Sequence, residues 1–185
     1  MSETTHPLSW QVLSEETIIK DPWIDLRASR CLLPNGKEIS PFYVNHQPGF
    51  SAVVAVTADH RVILVRQYRH GTRKVLLELP AGGLEEGEDP AVTAGRELEE
   101  ETGYRAGSLE FLCKIAPNSS SCTGYAYCYL ARDVVKTGSQ HLDETETLEV
   151  VEMDAEEVKS LLRSGGFEQA VHVAALYCAM DKGGL

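Results

Sequence analysis

Ala81 to Tyr104, AGGLEEGEDPAVTAGRELEEETGY, is the stretch on which the fold turns. Asp89 is suited to cap a helix that Pro90 opens, and Gly103 is suited to end it, so the spacing predicts a helix across the middle. On that helix Glu97, Glu100 and Glu101 fall at i, i+3 and i+4 and emerge side by side. Ala91, Ala94 and Leu98 fall on a different face, apolar enough to pack on the rest of the protein. Like charges at such spacings repel by roughly 0.2–0.5 kcal/mol per exposed pair, a cost with no structural return. A divalent cation reverses its sign. Three carboxylates on a rigid element suit a hard ion, Mg²⁺ or Mn²⁺, and hard ions in oxygen sites commonly work with phosphates. The competing explanation is a solvated acidic face.

The wider pattern bears on that choice. Gly82 is followed by a five-residue gap and Glu88, then by a seven-residue gap and Arg96-Glu97-Leu98, then by Glu100-Glu101-Thr102-Gly103-Tyr104. This resembles the Nudix hydrolase box at every defining position. The resemblance implies a loop-helix-loop that binds metals, with Glu97, Glu100 and Glu101 matching the ligand positions. Arg96 matches the position whose guanidinium braces a neighbouring carboxylate, which differs little from an ordinary helix salt bridge.

The 185 residues suffice for one good hydrophobic core, alone or with a small accessory domain. Seventeen basic against 28 acidic residues give a formal charge of -11, which argues against nonspecific attraction to nucleic acid or an anionic membrane. A small anionic substrate stays open, because a bound divalent metal inverts the local field. The five cysteines form no close-spaced metal motif. Their odd count, with MSETTHPLSW unlike a signal peptide, leads us to expect reduced thiols, mostly small core residues, in a cytoplasmic protein. The longest apolar runs are strand-length, so no membrane span is expected.

Residues 1 to about 8 read as a loose polar start. WQVLSE, WIDLRASRCLL and KEISPFYVNH then read as three strands, the last two joined by a turn at Pro34-Asn35-Gly36. Such a unit buries little alone and needs cover from the rest of the chain or from a partner. The break at Gln47-Pro48-Gly49 divides an N-terminal β unit, 1–47, from a domain over 48–185. FSAVVAVT, RVILVRQYRH and VLLELPAG are the next strands; SLEFLCKIA, GYAYCYLARDV and LEVVEM follow the box. Helices are expected from Asp154 to about Leu162 and from about Glu168 to Met180. Mixed strands flanked by a few helices indicate an α/β sandwich with the sheet between helical layers. The resemblance implies the same α/β/α arrangement with a mixed sheet. It also implies, for the subgroup acting on ADP-ribose and related nucleoside diphosphate sugars, an N-terminal β unit that takes part in a homodimer.

Away from the box, Gln67-Tyr68-Arg69 and Glu78-Leu79-Pro80-Ala81-Gly82 resemble segments of that subgroup. Arg69 matches a position that contacts substrate phosphate, for which a planar fork of donors is well shaped; a solvent-facing arginine is the alternative. Ala81 matches a residue whose backbone carbonyl binds a metal. Glu88 either assists through metal-bound water or favours the positive helix start. Asp143-Glu144-Thr145-Glu146 reads by itself as a hydrated turn. It resembles the acidic loop of ADP-ribose pyrophosphatases, which implies Glu144 as a catalytic carboxylate and Glu146 as a group near the metals. Thr145 departs from the Asp or Asn common there, and APNSSSCTGYAY departs from the usual Ser-Pro-Gly form. Gly138, Ser139 and Gln140 offer no core anchor, so the loop is expected to be mobile and able to close over substrate.

Together these features imply metal-dependent hydrolysis of the diphosphate of ADP-ribose or a relative, giving AMP and ribose 5-phosphate from ADP-ribose. Glu144 is the expected base, with a box glutamate, Glu100, as the alternative. Trp23 and Phe42 are candidates for stacking on the base, with core packing the preferred explanation for each. Other diphosphate derivatives, nucleoside triphosphates, or a non-catalytic nucleotide-sensing role are the rival readings.

Overall fold

The computed structural model describes residues 6–185. Of the expected polar start, residues 1–5 lie outside the described residues, and His6 to Ser9 form a turn closed by the Ser9 N–H on the His6 carbonyl. The chain separates into two compact units, one running through Gln47 and taking in Asn118–Gly124, the other made of Pro48–Pro117 and Tyr125–Leu185. A single cut at residue 47 leaves Asn118–Gly124 with the second domain. These residues group instead with the first unit because Asn45 bridges Cys122 and the Gln47 N–H reaches Thr123 Oγ1 at 3.2 Å.

In the first unit β1 (Gln11–Lys20), β2 (Asp25–Leu32) and β3 (Glu38–Asn45) form an antiparallel sheet in that order. Its small interior is Ala28, Ser29 and Cys31 on the central strand. Phe42 packs edge-on against Trp10, with ring centroids 5.3 Å apart. Trp23 is 86% exposed, so core packing does not explain it. Every residue of β1 is exposed, including Val12, Leu13, Ile18 and Ile19.

The second unit is built on a mixed sheet. β4 (Phe50–Val56) is its spine, nearly all apolar because it is covered on both faces. Side-chain alternation sends Val53 and Ala55 to one face and Val54 and Val56 to the other. β5 (Arg61–Arg69) pairs with β4 only at Ala55–Ile63 and Val56–Val62, and then the two strands diverge. The fork is filled by two short strands. β6 (Lys74–Glu78) pairs with β5, and β7 (Ala81–Gly83) pairs with the start of β4. VLLELPAG is therefore two strands rather than one, since Pro80 has no N–H to continue a ladder.

α1 (Pro90–Thr102) lies on the face of Val53 and Ala55. β8 (Tyr104–Arg105), β9 (Leu109–Ile115), β10 (Ala126–Arg132), β11 (Val135–Lys136) and β12 (Leu148–Asp154) follow. β10 runs parallel to β4, and the main order is β12-β5-β4-β10-β9. The two-residue pair β8–β11 is too short to carry a sequence signal. α2 (Ala155–Arg163) and α3 (Ala170–Asp181) cover the other face, around Val54, Leu64, Leu130 and Leu176. A sheet between one helix and two is the sandwich expected. All five cysteines are free, with Cys31 and Cys128 buried and the other three half-buried.

Candidate active site

α1 begins and ends where its sequence dictates. Asp89 Oδ1 accepts the Ala91 N–H at 2.8 Å, and Gly103 takes φ 74°, its N–H closing on the Glu99 carbonyl at 2.8 Å. A Cβ on Gly103 would sit 2.5 Å from the Gly138 carbonyl oxygen, so a side chain is excluded twice over.

Ala94 and Leu98 are fully buried, worth roughly 1.5–3 kcal/mol for the leucine. Glu97 and Glu101 were expected on a face different from that of Ala94 and Leu98. They are buried instead, 8% and 3% exposed, because they lie three residues beyond Ala94 and Leu98 and continue the same stripe. The backbone of β7 rests on Glu97: a Cβ on Gly82 would occupy the space of its carboxylate. Glu100 lies farther out, its side chain 43% exposed.

Arg96 gathers three of these acids rather than bracing one. Its Nη1 donates to Glu97 Oε1 at 2.8 Å and to Glu100 Oε2 at 2.9 Å, while Nε and Nη2 reach Glu88 and the Gly83 carbonyl at 3.2 Å. Glu88 also accepts Thr93 Oγ1 and the Glu85 N–H, and Arg96 above all pulls its carboxyl down to about 2. Its anchoring is thus fixed whether or not water joins it.

Glu101 is in the opposite condition. Its carboxyl takes a single hydrogen bond among the described residues, from the Ala81 N–H at 3.0 Å. Burial, then the nearby Glu97 and Glu146 charges, push its carboxyl up to about 8 against the pull of Ala81 and Arg69. Burial raises Glu97 as well, with Arg96 opposing. Among the described residues no three acidic, histidine or cysteine side chains form a finished ligand cluster, since Glu97 and Glu100 turn to Arg96 and Glu101 to Ala81. The donor chemistry nonetheless fits a divalent cation. All donors are hard oxygens, and Glu101 is a desolvated carboxyl short of positive charge.

Arg69 does not face solvent freely. Its Nη2 and Nε hold Glu78 Oε2 at 2.6 and 3.0 Å, and Gln67 Nε2 donates to the same oxygen at 3.2 Å. Glu78 is 1% exposed, whereas the Arg69 side chain is 42% exposed, so the guanidinium is fixed from behind with an open edge. Glu78 was legible only as part of ELPAG, with no role attached. Behind it lies His172, also buried; its Nδ1 accepts the Leu79 N–H at 3.3 Å, and burial lowers it to about 4.

The acidic loop departs from expectation at its base. The His141 N–H donates to the Glu100 carbonyl at 2.8 Å, Gln140 Nε2 to the Glu101 carbonyl at 2.8 Å, and the Thr137 and Gly138 N–H groups to the Gly103 carbonyl. The segment before the loop is therefore anchored on α1, not free. Glu144 and Glu146 are exposed. Glu146 Oε2 accepts the Asp143 N–H at 3.1 Å, and Glu146 lies within electrostatic reach of Glu97 and Glu101. Glu144 takes no side-chain hydrogen bond among the described residues, which leaves its oxygens available. A cavity of about 480 Å³ beside His60, Asp154 and Lys159 is lined by none of these groups.

The sequence profile of the NUDIX domain matches residues 45–175, and the chain belongs to the Nudix family. It is a Nudix hydrolase by domain and by relatives. Residues 10–45 match the nucleoside diphosphate sugar hydrolase N-terminal domain. The chain is 37% identical over 158 residues to the ADP-ribose pyrophosphatase of Bacillus subtilis, covering 85% of each. It is 35% identical over 154 residues to the methanol dehydrogenase activator of Bacillus methanolicus, covering 83% of each. The crystal structure of an ADP compounds hydrolase superposes with a TM-score of 0.82 at 26% identity, covering 98% of both chains.

Proposed function

We propose that this protein hydrolyses the diphosphate bond of ADP-ribose or a closely related nucleoside diphosphate sugar, releasing AMP and ribose 5-phosphate from ADP-ribose. The observation that carries this reading is the pairing of Arg69, fixed by buried Glu78, with the buried carboxyl of Glu101 within its electrostatic reach. An open guanidinium edge suits a phosphate already charged in the ground state. Glu97, Glu100 and Glu101, with the Ala81 carbonyl and Glu146 beside them, would hold Mg²⁺, or Mn²⁺ in its place. A divalent cation bound there supplies charge neutralisation on the diphosphate and acidifies a water. Arg96 holds the carboxylates of Glu97 and Glu100 in place through its Nη1. Glu144, unencumbered on its loop, takes the proton from the attacking water; Glu100 is the alternative base, although its carboxylate is already engaged by Arg96.

The subgroup assignment draws support from the N-terminal match and from the B. subtilis relative. The N-terminal unit is assigned to homodimer formation. β1 is an edge strand with Val12, Leu13, Ile18 and Ile19 between 40% and 59% exposed, an edge that self-association would cover. The excess of acidic residues, 28 against 17 basic, disfavours nucleic acid and anionic membranes as partners. No helix among the described residues is long and apolar enough to cross a membrane. Five free thiols support a cytoplasmic setting.

The test is a substrate panel with Mg²⁺ and with Mn²⁺, resolving phosphate-containing products by chromatography. ADP-ribose should be cleaved to AMP and ribose 5-phosphate in preference to FAD, NADH, GDP-mannose, UDP-glucose and triphosphates. Preference for a triphosphate would reject the reading.

A further inference from the structure

We propose that Gln140 is a positioning residue, whose side-chain amide clamps the base of the acidic loop to the last turn of α1 and so holds Glu144 at the carboxylate cluster. This rests on the reading of Glu144 as the base. The last turn of any helix leaves carbonyls without intrahelical partners. In α1 the Glu100 carbonyl is taken by the His141 N–H and the Glu101 carbonyl by Gln140 Nε2, each at 2.8 Å. Gln140 Nε2 also reaches the Leu148 carbonyl, at 3.5 Å, where the loop returns to the sheet at the start of β12. One half-buried amide therefore ties both ends of the segment 141–147 to one turn of helix.

Within that segment the side-chain tie is weaker: Glu146 Oε2 accepts the Asp143 N–H while the Glu146 N–H closes a turn on the Asp143 carbonyl. Such a turn fixes the shape of Asp143–Glu146 but not its placement. Placement comes from the two contacts to α1, and Glu101 is the shared residue, with its carboxyl in the cluster and its carbonyl under Gln140. Length and donor count both matter. A glutamate of the same length presents oxygens to two carbonyls, and asparagine falls one methylene short.

The experiment measures kcat and KM for ADP-ribose with Mg²⁺ in Gln140→Glu, Gln140→Ala and Gln140→Asn, in the wild-type and Glu144→Gln backgrounds. Amide hydrogen exchange at His141 and Glu146 is followed in the same proteins. In the wild-type background Gln140→Glu and Gln140→Ala should lower kcat about 10–100-fold with KM within about twofold, since misplacement by about an ångström costs that much. Gln140→Asn should retain an intermediate rate. Exchange at His141 and Glu146 should accelerate while the amides of β12 stay protected. In the Glu144→Gln background the same substitutions should cause no further loss, because the group being positioned is gone. Equal losses in both backgrounds, or full turnover in Gln140→Glu and Gln140→Ala, would overturn the positioning role. Unchanged exchange would overturn the clamp itself. Wild-type turnover in Glu144→Gln alone would reject the base assignment, and that result is read independently of the exchange data.

Discussion

Removing the Arg69 side chain should do two separable things, and the geometry gives a size for each. Arg69→Ala leaves Glu78, 1% exposed and held at 2.6 Å, with Gln67 as its one side-chain donor among the described residues. Breaking a buried pair from one side costs about 3–5 kcal/mol when both members are enclosed. Because the Arg69 side chain is 42% exposed and water can follow into its place, we expect the lower figure of about 2–3 kcal/mol. For a domain of this size that lowers Tm by about 4–12 °C. Separately, the loss of a charge-assisted contact to a substrate phosphate, about 1.5–3 kcal/mol, should raise KM for ADP-ribose about 10–100-fold with a smaller fall in kcat. The double variant Arg69→Ala with Glu78→Gln tells the effects apart. Neutralising the stranded carboxyl should restore most of the Tm and none of the KM. Differential scanning calorimetry and steady-state kinetics on the three proteins suffice. A normal Tm in Arg69→Ala would refute the dependence of Glu78 on its partner, and a normal KM would refute the phosphate contact.

Glu97→Gln and Glu101→Gln should each lower kcat about 10²-fold or more with circular dichroism unchanged; near wild-type turnover in both would remove them from the site. Glu101 sits at about 8 rather than near 4.5, so the metal-free fold holds a proton there and loses stability as pH rises through that window. A cation needing that carboxylate competes with the proton, so half-saturating Mg²⁺ should fall as pH rises to about 8, by up to about tenfold per unit, and then level off; a flat titration between pH 6 and 9 contradicts this. His172 is depressed to about 4, so its neutral form is favoured in the fold and stability is lost as pH falls from about 6.5 to about 4. The loss is roughly 3 kcal/mol, and His172→Leu should flatten this acid limb in urea melts at successive pH values. Sedimentation equilibrium at micromolar concentration should show twice the 20.3 kDa chain mass, and a chain of that mass alone would dismiss the dimer.

The helix was legible residue by residue, because caps are local: Asp89, Pro90 and Gly103 act within one turn of where they stand. The layered sandwich was legible too, since Val-rich runs and two terminal helical patterns leave few arrangements. What lay beyond the sequence was partnership at a distance. Glu78 and Arg69 are joined only because β5 and β6 pair in one register. Gln140 looked like spacer because nothing near it in the chain needs an amide; its partner is a carbonyl brought over by the fold. The burial of Glu97 and Glu101 was half visible. Their spacing from Ala94 and Leu98 places them on the packed stripe, but only the fold reveals that backbone lies against them, Gly82 on Glu97 and the Ala81 N–H on Glu101.

The fork between β4 and β5 separates what can vary from what cannot. The chain crosses from the arm that carries Arg69 and Glu78 to the arm that carries Gly82 in two residues, Leu79 and Pro80. Both are buried, with the Leu79 N–H donated to His172 Nδ1 and the Pro80 carbonyl accepting the Val53 N–H. A residue inserted at that crossing would invert the alternation of one arm against the other and pull the phosphate grip out of step with the acids. The hairpin tip at His70–Arg73 is exposed and tolerates added length. Lineages descended from such a scaffold are thus free to rewrite what the outer hairpin touches while inheriting the chemistry of the inner strand intact.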